Sequence, residues 1–184
     1  MPRIPLLTPE TMTPAQRRVH DAMLHGPRKS APVGPLAIAM HRPELAEAMS
    51  ALGLVLRFNS TFEPRLREFA ILTCGRHWDC QFEWASHEGE ARKAALSETS
   101  NATLKAGGAR FAQADEQAIF DYATEILTRK FPSDENFQRI VALFGMAGAV
   151  ELTGLVGYYA MVALMLNAAD LPLPPDMPSL PPRQ

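Results

Sequence analysis

The longest apolar stretch of the chain, residues 140–169, constrains the fold more than any other feature. Glu151 is its only charged residue, and the stretch is long enough to approach a membrane span. Against a span stand the mid-segment charge, the lack of a basic cluster at either end, and Tyr158 and Tyr159 in the centre instead of at an interface. Helices that are apolar on all sides also occur in cores and subunit interfaces. We therefore expect a buried helix, over about 134–169, and no membrane partner.

Composition favours a soluble cytoplasmic protein with one domain over residues 1–184. This length is enough for a single sizeable core. Eighteen basic against twenty acidic residues leave no positive field for a nucleic acid, so no nucleic-acid partner is expected. Cys74 and Cys80 are too few for a disulfide framework and too far apart for a Cys-x-x-Cys site. The first ten residues lack the apolar core of a signal peptide.

Helical periodicity runs through most of the chain, whereas no segment alternates with the period of two that marks a half-buried strand. Thr13 followed by a proline predicts a helix that ends near Gly26, and a loop follows to Pro35. Further helices are predicted to begin at about residues 43, 64, 114 and 134. The predicted fold class is all-α.

The C-terminal tail, residues 171–184, contains six prolines. Proline fixes φ and lacks an amide hydrogen, so this tail is expected to be extended chain and not helix. A solvated tail and a strap along its own domain or a neighbouring subunit both remain open.

The residues able to do chemistry are concentrated in segment 65–88, which contains both cysteines, both tryptophans and four carboxylates. On one continuous helix, side chains at steps of three and four share a face. The set on that face is His77, Cys80, Glu83, Trp84 and His87. Glu83 can accept the N–H of His87 and fix its tautomer, and a histidine beside Cys80 can hold a thiolate. The spacing predicts an acid–base or nucleophile site.

Structural explanations compete with this reading. A tryptophan such as Trp84 is more often packed in a core than used as a substrate platform, and Glu83 and His87 could form an ordinary helix salt bridge. Zinc could use these ligand types, but the other three histidines lie in an unrelated segment, so no metal and no cofactor are expected.

Two runs, Leu66-Arg-Glu-Phe-Ala-Ile-Leu and Cys80-x-x-Glu-Trp-Ala-x-His, resemble the carboxymuconolactone decarboxylase family, whose superfamily includes the alkylhydroperoxidase D proteins. The family core would cover about 43–130. The resemblance implies an alkylhydroperoxidase D-like helical domain that assembles into a ring-like homo-oligomer, a trimer or hexamer.

The two branches of that superfamily differ in their catalytic residues. The peroxidase branch uses a glutamate, a Cys-x-x-Cys pair and a histidine, which Glu68, Cys80 and His87 match, while Glu83 replaces the second cysteine. Without a resolving thiol the usual disulfide cycle cannot run. The decarboxylase branch resembles the chain in Glu83-x-x-x-His87. On an unbroken helix Glu68 would lie about 18 Å from Cys80, so joining the site requires a break, for which Gly75 is the candidate.

The resemblance therefore favours a cofactor-independent lyase that acts on a small anionic lactone or carbonyl compound. His87 would be the general acid–base and Glu83 its orienting partner, with Glu68 and Cys80 as further catalytic candidates. The candidate substrate-binding residues are Arg65, Arg67, Arg76, His77 and Trp84. Two alternatives remain open: a thiol-dependent peroxidase that uses Cys80, and a non-catalytic helical assembly protein.

Overall fold

The structure is a computed structural model that describes residues 2–181. Within that range it contains eight α-helices and no strand, so the predicted all-α class is confirmed. The helices are α1 (Pro14–His25), α2 (Pro35–Ala39), α3 (Pro43–Phe58), α4 (Pro64–His77), α5 (Gln81–Lys93), α6 (Glu98–Lys105), α7 (Ala114–Arg129) and α8 (Asp134–Ala169). The alkylhydroperoxidase D-like arrangement and the ring stay predictions.

Proline marks the first turn of each of the first four helices. Its missing amide hydrogen costs nothing there, because the first amides of a helix have no partner within the helix. Thr13 caps α1 as predicted: its hydroxyl accepts from the Gln16 amide, while the Gln16 side chain accepts from the Thr13 amide. The short helices α2 and α6 were not predicted.

The chain groups into two compact units, and the expectation of a single domain stays a prediction. The first unit comprises the chain up to Asn59 together with Met165–Pro172. In it, α1 and α2 pack on α3. Its buried apolar side chains include Val19, Met23, Leu36, Ile38 and Met49.

The second unit comprises Ser60–Leu164 together with the chain from Leu173 onward. Helix α4 lies at its centre, packed against α5, α6 and α7. Every residue from 68 to 76 is buried, including Glu68 and Arg76. A helix covered on all sides shows no simple apolar stripe, and its buried charged groups need partners. The candidate site lies on this helix.

Helix α8 is interrupted at Gly145, whose φ of 71° and ψ of 176° leave the helical region. Glycine is the residue that adopts this conformation readily. Glu151, the only charge in the apolar stretch, accepts hydrogen bonds from the Ser60 hydroxyl and from the amide and hydroxyl of Thr61. Burial opposes its ionisation, but these hydrogen bonds outweigh burial and lower the pKa of Glu151.

Burial of α8 is less complete than expected. Only 33% of its most apolar window is buried, and Leu143, Met146 and Val150 are exposed. By length and composition the helix could cross a membrane, although core helices of soluble proteins meet the same criterion. The structure is compatible with a soluble protein, and cytoplasmic location stays a prediction.

The described part of the tail contacts α5, which agrees with the strap alternative. From Leu171 to Pro181 it contains no helix. The Gln81 side-chain amide donates to the Leu180 carbonyl at 3.2 Å, and the Leu180 amide donates to Gln81 Oε1 at 2.7 Å. Leu180 is buried. Residues 182–184, also part of the predicted tail, lie outside the described residues.

Candidate acid–base site

The chain reverses direction between α4 and α5, so the predicted continuous helix is wrong. Helix α4 ends at His77, and α5 begins at Gln81. Between them Asp79 adopts φ of 47°, a left-handed conformation that aspartate tolerates better than most residues. Cys80 is the N-cap residue of α5, and its amide donates to the Gly75 carbonyl at 2.9 Å. His77 ends α4 and therefore does not share a helix face with His87 of α5, whereas Cys80 stands directly before the first helical residue of α5.

The required break comes a few residues after the predicted position. Gly75 lies inside α4, where it faces α5: a Cβ at this position would meet the Trp84 amide nitrogen at 3.5 Å and Glu83 Oε1 at 3.7 Å. These are ordinary contact distances. The reversal depends on the turn at residues 78–80 and not on this glycine.

The reversal joins Glu68 of α4 to His87 of α5. Nδ1 of His87 lies 2.7 Å from Oε2 of Glu68, and the two residues are 7% and 2% exposed. A carboxylate that accepts the Nδ1 proton fixes the tautomer and leaves Nε2 for proton exchange. Arg67 lies 3.4 Å from the other oxygen, Oε1, of Glu68. The orienting role expected of Glu83 thus falls to Glu68.

An aromatic side chain from α8 covers the imidazole. The Tyr159 ring stands edge-on to the His87 ring, with centroids 5.3 Å apart. Tyr159 is itself buried. The sequence prediction did not assign this residue to the site, although a tyrosine pair in an otherwise aliphatic stretch was a visible signal.

Glu83 is buried without a hydrogen bond. It is 2% exposed, and neither carboxyl oxygen has a hydrogen-bond partner within residues 2–181. Burial raises the pKa of Glu83 well above its usual value. Burial thus favours the protonated, neutral form of this side chain, which lies one helical turn before His87.

Both cysteines are buried, and they are not joined in a disulfide. Burial, and next the charge of Glu83, raise the pKa of Cys80 to about 12, against the smaller effect of hydrogen bonds from the Glu83 and Phe82 amides. The same two causes raise the pKa of Cys74 well above its usual value. The expected thiolate held by histidine is therefore not what the geometry provides, because Cys80 sits in apolar surroundings beside an acid.

The three candidate arginines have different surroundings. Arg65 binds two carboxylates, Asp115 at 2.5 Å and Glu116 at 2.6 Å, which leaves it poorly suited to clamp a substrate. Burial opposes the charge of Arg65, but these hydrogen bonds and charges outweigh it and raise its pKa. Arg67 contacts Glu68, as described above.

The remaining predicted binding residues belong to a cavity lining or to the core. Arg76 forms an ion pair with Asp79 and lines a cavity together with His77. Trp84 is fully buried and belongs to the core. The predicted binding set therefore divides between Arg67 beside the pair, Arg76 and His77 at a separate cavity, and Arg65 and Trp84 in structural positions.

Within residues 2–181, no three histidine, cysteine or acidic side chains lie close enough together to hold a metal ion.

No protein-family model matches the chain, and no curated protein matches it. The resemblance to the carboxymuconolactone decarboxylase family, carried by the two sequence runs that begin at Leu66 and Cys80, stays a prediction.

Proposed function

We propose that the chain is a cofactor-independent lyase of the carboxymuconolactone decarboxylase type, acting on a small anionic lactone or carbonyl compound. The observation that carries this proposal is the 2.7 Å contact between Glu68 Oε2 and His87 Nδ1 in a buried setting. A carboxylate there orients the imidazole and stabilises the imidazolium that forms when Nε2 takes up a proton.

The proposed reaction needs only one proton donor. The carbon–carbon bond to the leaving carboxylate breaks, its electron pair moves into the adjacent carbonyl system as an enolate, and carbon dioxide departs. The imidazolium of His87 then delivers its Nε2 proton to the carbon, and water reprotonates the imidazole. Glu68 accepts the hydrogen bond from Nδ1 of His87 and takes no part in the proton transfer itself.

The state of Glu83 supports an anionic substrate. Because burial favours the protonated form of this carboxyl group, negative charge one turn away from His87 is disfavoured. An ionised side chain at this place would repel both the substrate and the developing enolate.

The surroundings of Cys80 favour acid–base chemistry over thiol chemistry. A peroxidase needs a thiolate, and burial together with Glu83 raises the Cys80 pKa to about 12. The redox alternative therefore lacks the electropositive, partly exposed setting that reactive cysteines use.

The proposal is tested by incubating the purified protein with carboxymuconolactone and a panel of small keto and lactone acids while measuring carbon dioxide release. His87→Gln should lower kcat by about 10²-fold or more. Cys80→Ser should keep most activity, and so should His77→Gln, a matched histidine control outside the pair. Full activity in His87→Gln, or no turnover of any acid by the parent protein, would refute the lyase. The second result would favour the assembly alternative.

We also propose a homo-oligomer, a trimer or hexamer. Leu143, Met146 and Val150 of α8 are exposed in the single chain, as the subunit-interface expectation requires. Light scattering coupled to size exclusion should give a mass of three or six times 20.2 kDa. A monomer at micromolar concentration would contradict this part of the proposal.

A further inference from the structure

Helix α8 presents an apolar face to solvent between its interruption at Gly145 and Leu164, within the second unit. Six positions at alternating steps of three and four fall within an arc of about 100° around the helix. These positions, which we call the α8 face, are Ala147, Val150, Gly154, Gly157, Met161 and Leu164. Five of them are exposed and Met161 is half-buried, so the described part of the chain leaves the α8 face largely uncovered.

The two glycines at the centre of the α8 face are not required by the packing of the chain itself. Gly154 and Gly157 have helical backbone geometry, and a Cβ at either position would meet no atom of the described residues within 4 Å. Glycine inside a helix is destabilising relative to alanine. Small residues on a helix face do, however, allow a second helix to approach closely. The glycines therefore indicate a partner helix on this face.

The α8 face is symmetric about the midpoint between Gly154 and Gly157. Its steps of three and four are those of a coiled-coil seam. If two α8 helices run antiparallel with a twofold axis at that midpoint, every position of one face meets a position of the other. The layers are then Gly154 with Gly157, Val150 with Met161, and Ala147 with Leu164.

Residue size favours this antiparallel register over a parallel one. Antiparallel pairing places the small Ala147 opposite the large Leu164, so that the outer layers are filled evenly. A parallel pair would place each residue opposite its own copy, which leaves a gap between two Ala147 side chains and crowds two Leu164 side chains. The α8 face is therefore complementary to itself when one copy is reversed.

Electrostatics do not oppose a contact between two copies of α8. The sequence from 152 to 169 contains no charged residue. The carboxylate of Glu151 is bound by Ser60 and Thr61 of its own chain. Two reversed copies therefore bring no like charges together on the α8 face, and no charge on it has to be buried.

We propose that α8 packs antiparallel on α8 of a second copy of the chain, with the twofold axis between Gly154 and Gly157. This inference rests on the proposed homo-oligomer and names the face through which its copies meet. A lipid surface would also accept apolar side chains, but it requires neither the two glycines nor a matched register. Of the proposed assemblies, a hexamer can contain twofold axes and a trimer cannot.

The size of the α8 face sets the expected strength of the contact. The face is about 26 Å long, and half the surface of a helix of that length amounts to roughly 400 Å² per copy. A stable interface buries about 800 Å² per partner. The contact supplies about half of this area, so we expect it to be weak alone and stable where a second contact adds to it, as in a hexamer. Crosslinking suits such a contact because it captures weak association.

The register is tested with the double variant Val150→Cys/Met161→Cys and a short bismaleimide. In the proposed contact, position 150 of one copy lies beside position 161 of the other, so we expect a 150–161 link in peptide mass spectrometry. The link must join two chains, because within one helix the two positions are about 16 Å apart, too far for the spacer. Each single variant should give no link between like positions. Links of 150 to 150 or of 161 to 161 would indicate a parallel pair and overturn the proposal.

Two added charges locate the contact. Gly157→Glu in the double variant places two carboxylates beside the proposed axis and should lower the yield of the 150–161 link at least tenfold. Ala142→Glu adds the same charge at an exposed position of α8 before the interruption, outside the α8 face, and should leave the yield unchanged. Both positions are exposed, and circular dichroism should show both proteins folded. Equal yields from the two folded variants would refute the contact.

The mass from light scattering separates this inference from the proposed homo-oligomer. A trimer without the 150–161 link would support the homo-oligomer and refute the α8 contact. A dimer with the link would support the α8 contact and refute the trimer and hexamer. Absence of the link together with sedimentation on phosphatidylcholine vesicles would assign the α8 face to a lipid surface and overturn the proposal.

Discussion

Glu68 and His87 are 19 residues apart in the sequence, yet Oε2 of the first lies 2.7 Å from Nδ1 of the second. The α4–α5 reversal creates this pair. Because both residues are more than nine-tenths buried, water screens their interaction little. The charge of Glu68 should therefore matter to catalysis beyond the hydrogen bond itself.

Glu68→Gln tests that charge directly. Glutamine can still accept a hydrogen bond from Nδ1 but cannot stabilise an imidazolium by charge, so we expect kcat for the proposed decarboxylation to fall about 10²-fold. Glu90→Gln, a half-exposed carboxylate on α5, is the matched control and should leave kcat unchanged. Circular dichroism should show both variants folded. Parent-like kcat in Glu68→Gln would exclude an electrostatic role for the pair.

Glu83→Gln should stabilise the protein at neutral and alkaline pH. Burial raises the folded-state pKa of Glu83 above its ordinary value of 4.5, so the folded state holds more protons than the unfolded state above that pH. The free energy of unfolding should therefore fall as pH rises from about 4.5 through the folded-state pKa. Glutamine removes this dependence, and Tm at pH 8 should rise by roughly 2–4 °C, the shift expected for 1 kcal/mol at this size. A parallel pH dependence of Tm in parent and variant would contradict the buried neutral acid.

Cys80 should react slowly with iodoacetamide in the native protein at pH 7. Its pKa of about 12 leaves almost no thiolate, and its side chain is fully buried. Peptide mass spectrometry can follow Cys80 and Cys74 separately, with protein unfolded in guanidinium chloride as the reference for full reactivity. Rapid labelling of Cys80 at pH 6 would favour a thiol-dependent peroxidase over the proposed lyase.

Gly145→Ala should destabilise the protein by about 1–3 kcal/mol, because φ of 71° with ψ of 176° is a conformation that L side chains rarely adopt. A steric clash does not contribute to this loss of stability, since a Cβ at position 145 would meet no atom within 4 Å. Gly154→Ala in the same helix is the control: it also has open space but helical geometry, and should stabilise by about 0.5–1 kcal/mol. Urea unfolding measures both, and equal effects of the two substitutions would argue against the interruption.

Arg65→Leu should destabilise the protein by about 2–4 kcal/mol. It removes the cation paired with Glu116, which is 1% exposed and also accepts from the Ser100 hydroxyl, and a buried charge without its counter-charge is costly. Arg42→Leu breaks an exposed pair with Glu44 and should change stability by no more than about 0.5 kcal/mol. Similar losses in urea unfolding for both variants would show that the Arg65 cluster is no stronger than a surface contact.

Local sequence signals were sufficient for much of the helix pattern. A threonine cap with a following proline marked α1, and prolines marked α3 and α4, because these residues act on the neighbouring backbone alone. Helix α6 was missed: it is only eight residues long and has few apolar positions, so its Ser97 cap was the main local signal. Helices this short depend on packing for their stability.

The site was harder to predict, because its geometry depends on one turn. Helical spacing correctly placed Glu83 one turn before His87, but it could not show that Asp79 adopts a left-handed conformation and reverses the chain. Because the chain turns at Asp79, the carboxylate that contacts His87 is that of Glu68 and not that of Glu83. Burial of Glu83 and Cys80 likewise depends on tertiary packing, which periodicity does not encode.

The contact between Gln81 and the tail uses only main-chain atoms of residue 180, its amide and its carbonyl. A change of side chain at position 180 would alter how well that side chain is buried, but both hydrogen bonds could persist. A change of Gln81, by contrast, removes both at once. At this point the path of the tail therefore depends on the Gln81 side chain of α5. The residue at position 180 can vary while both hydrogen bonds to Gln81 persist.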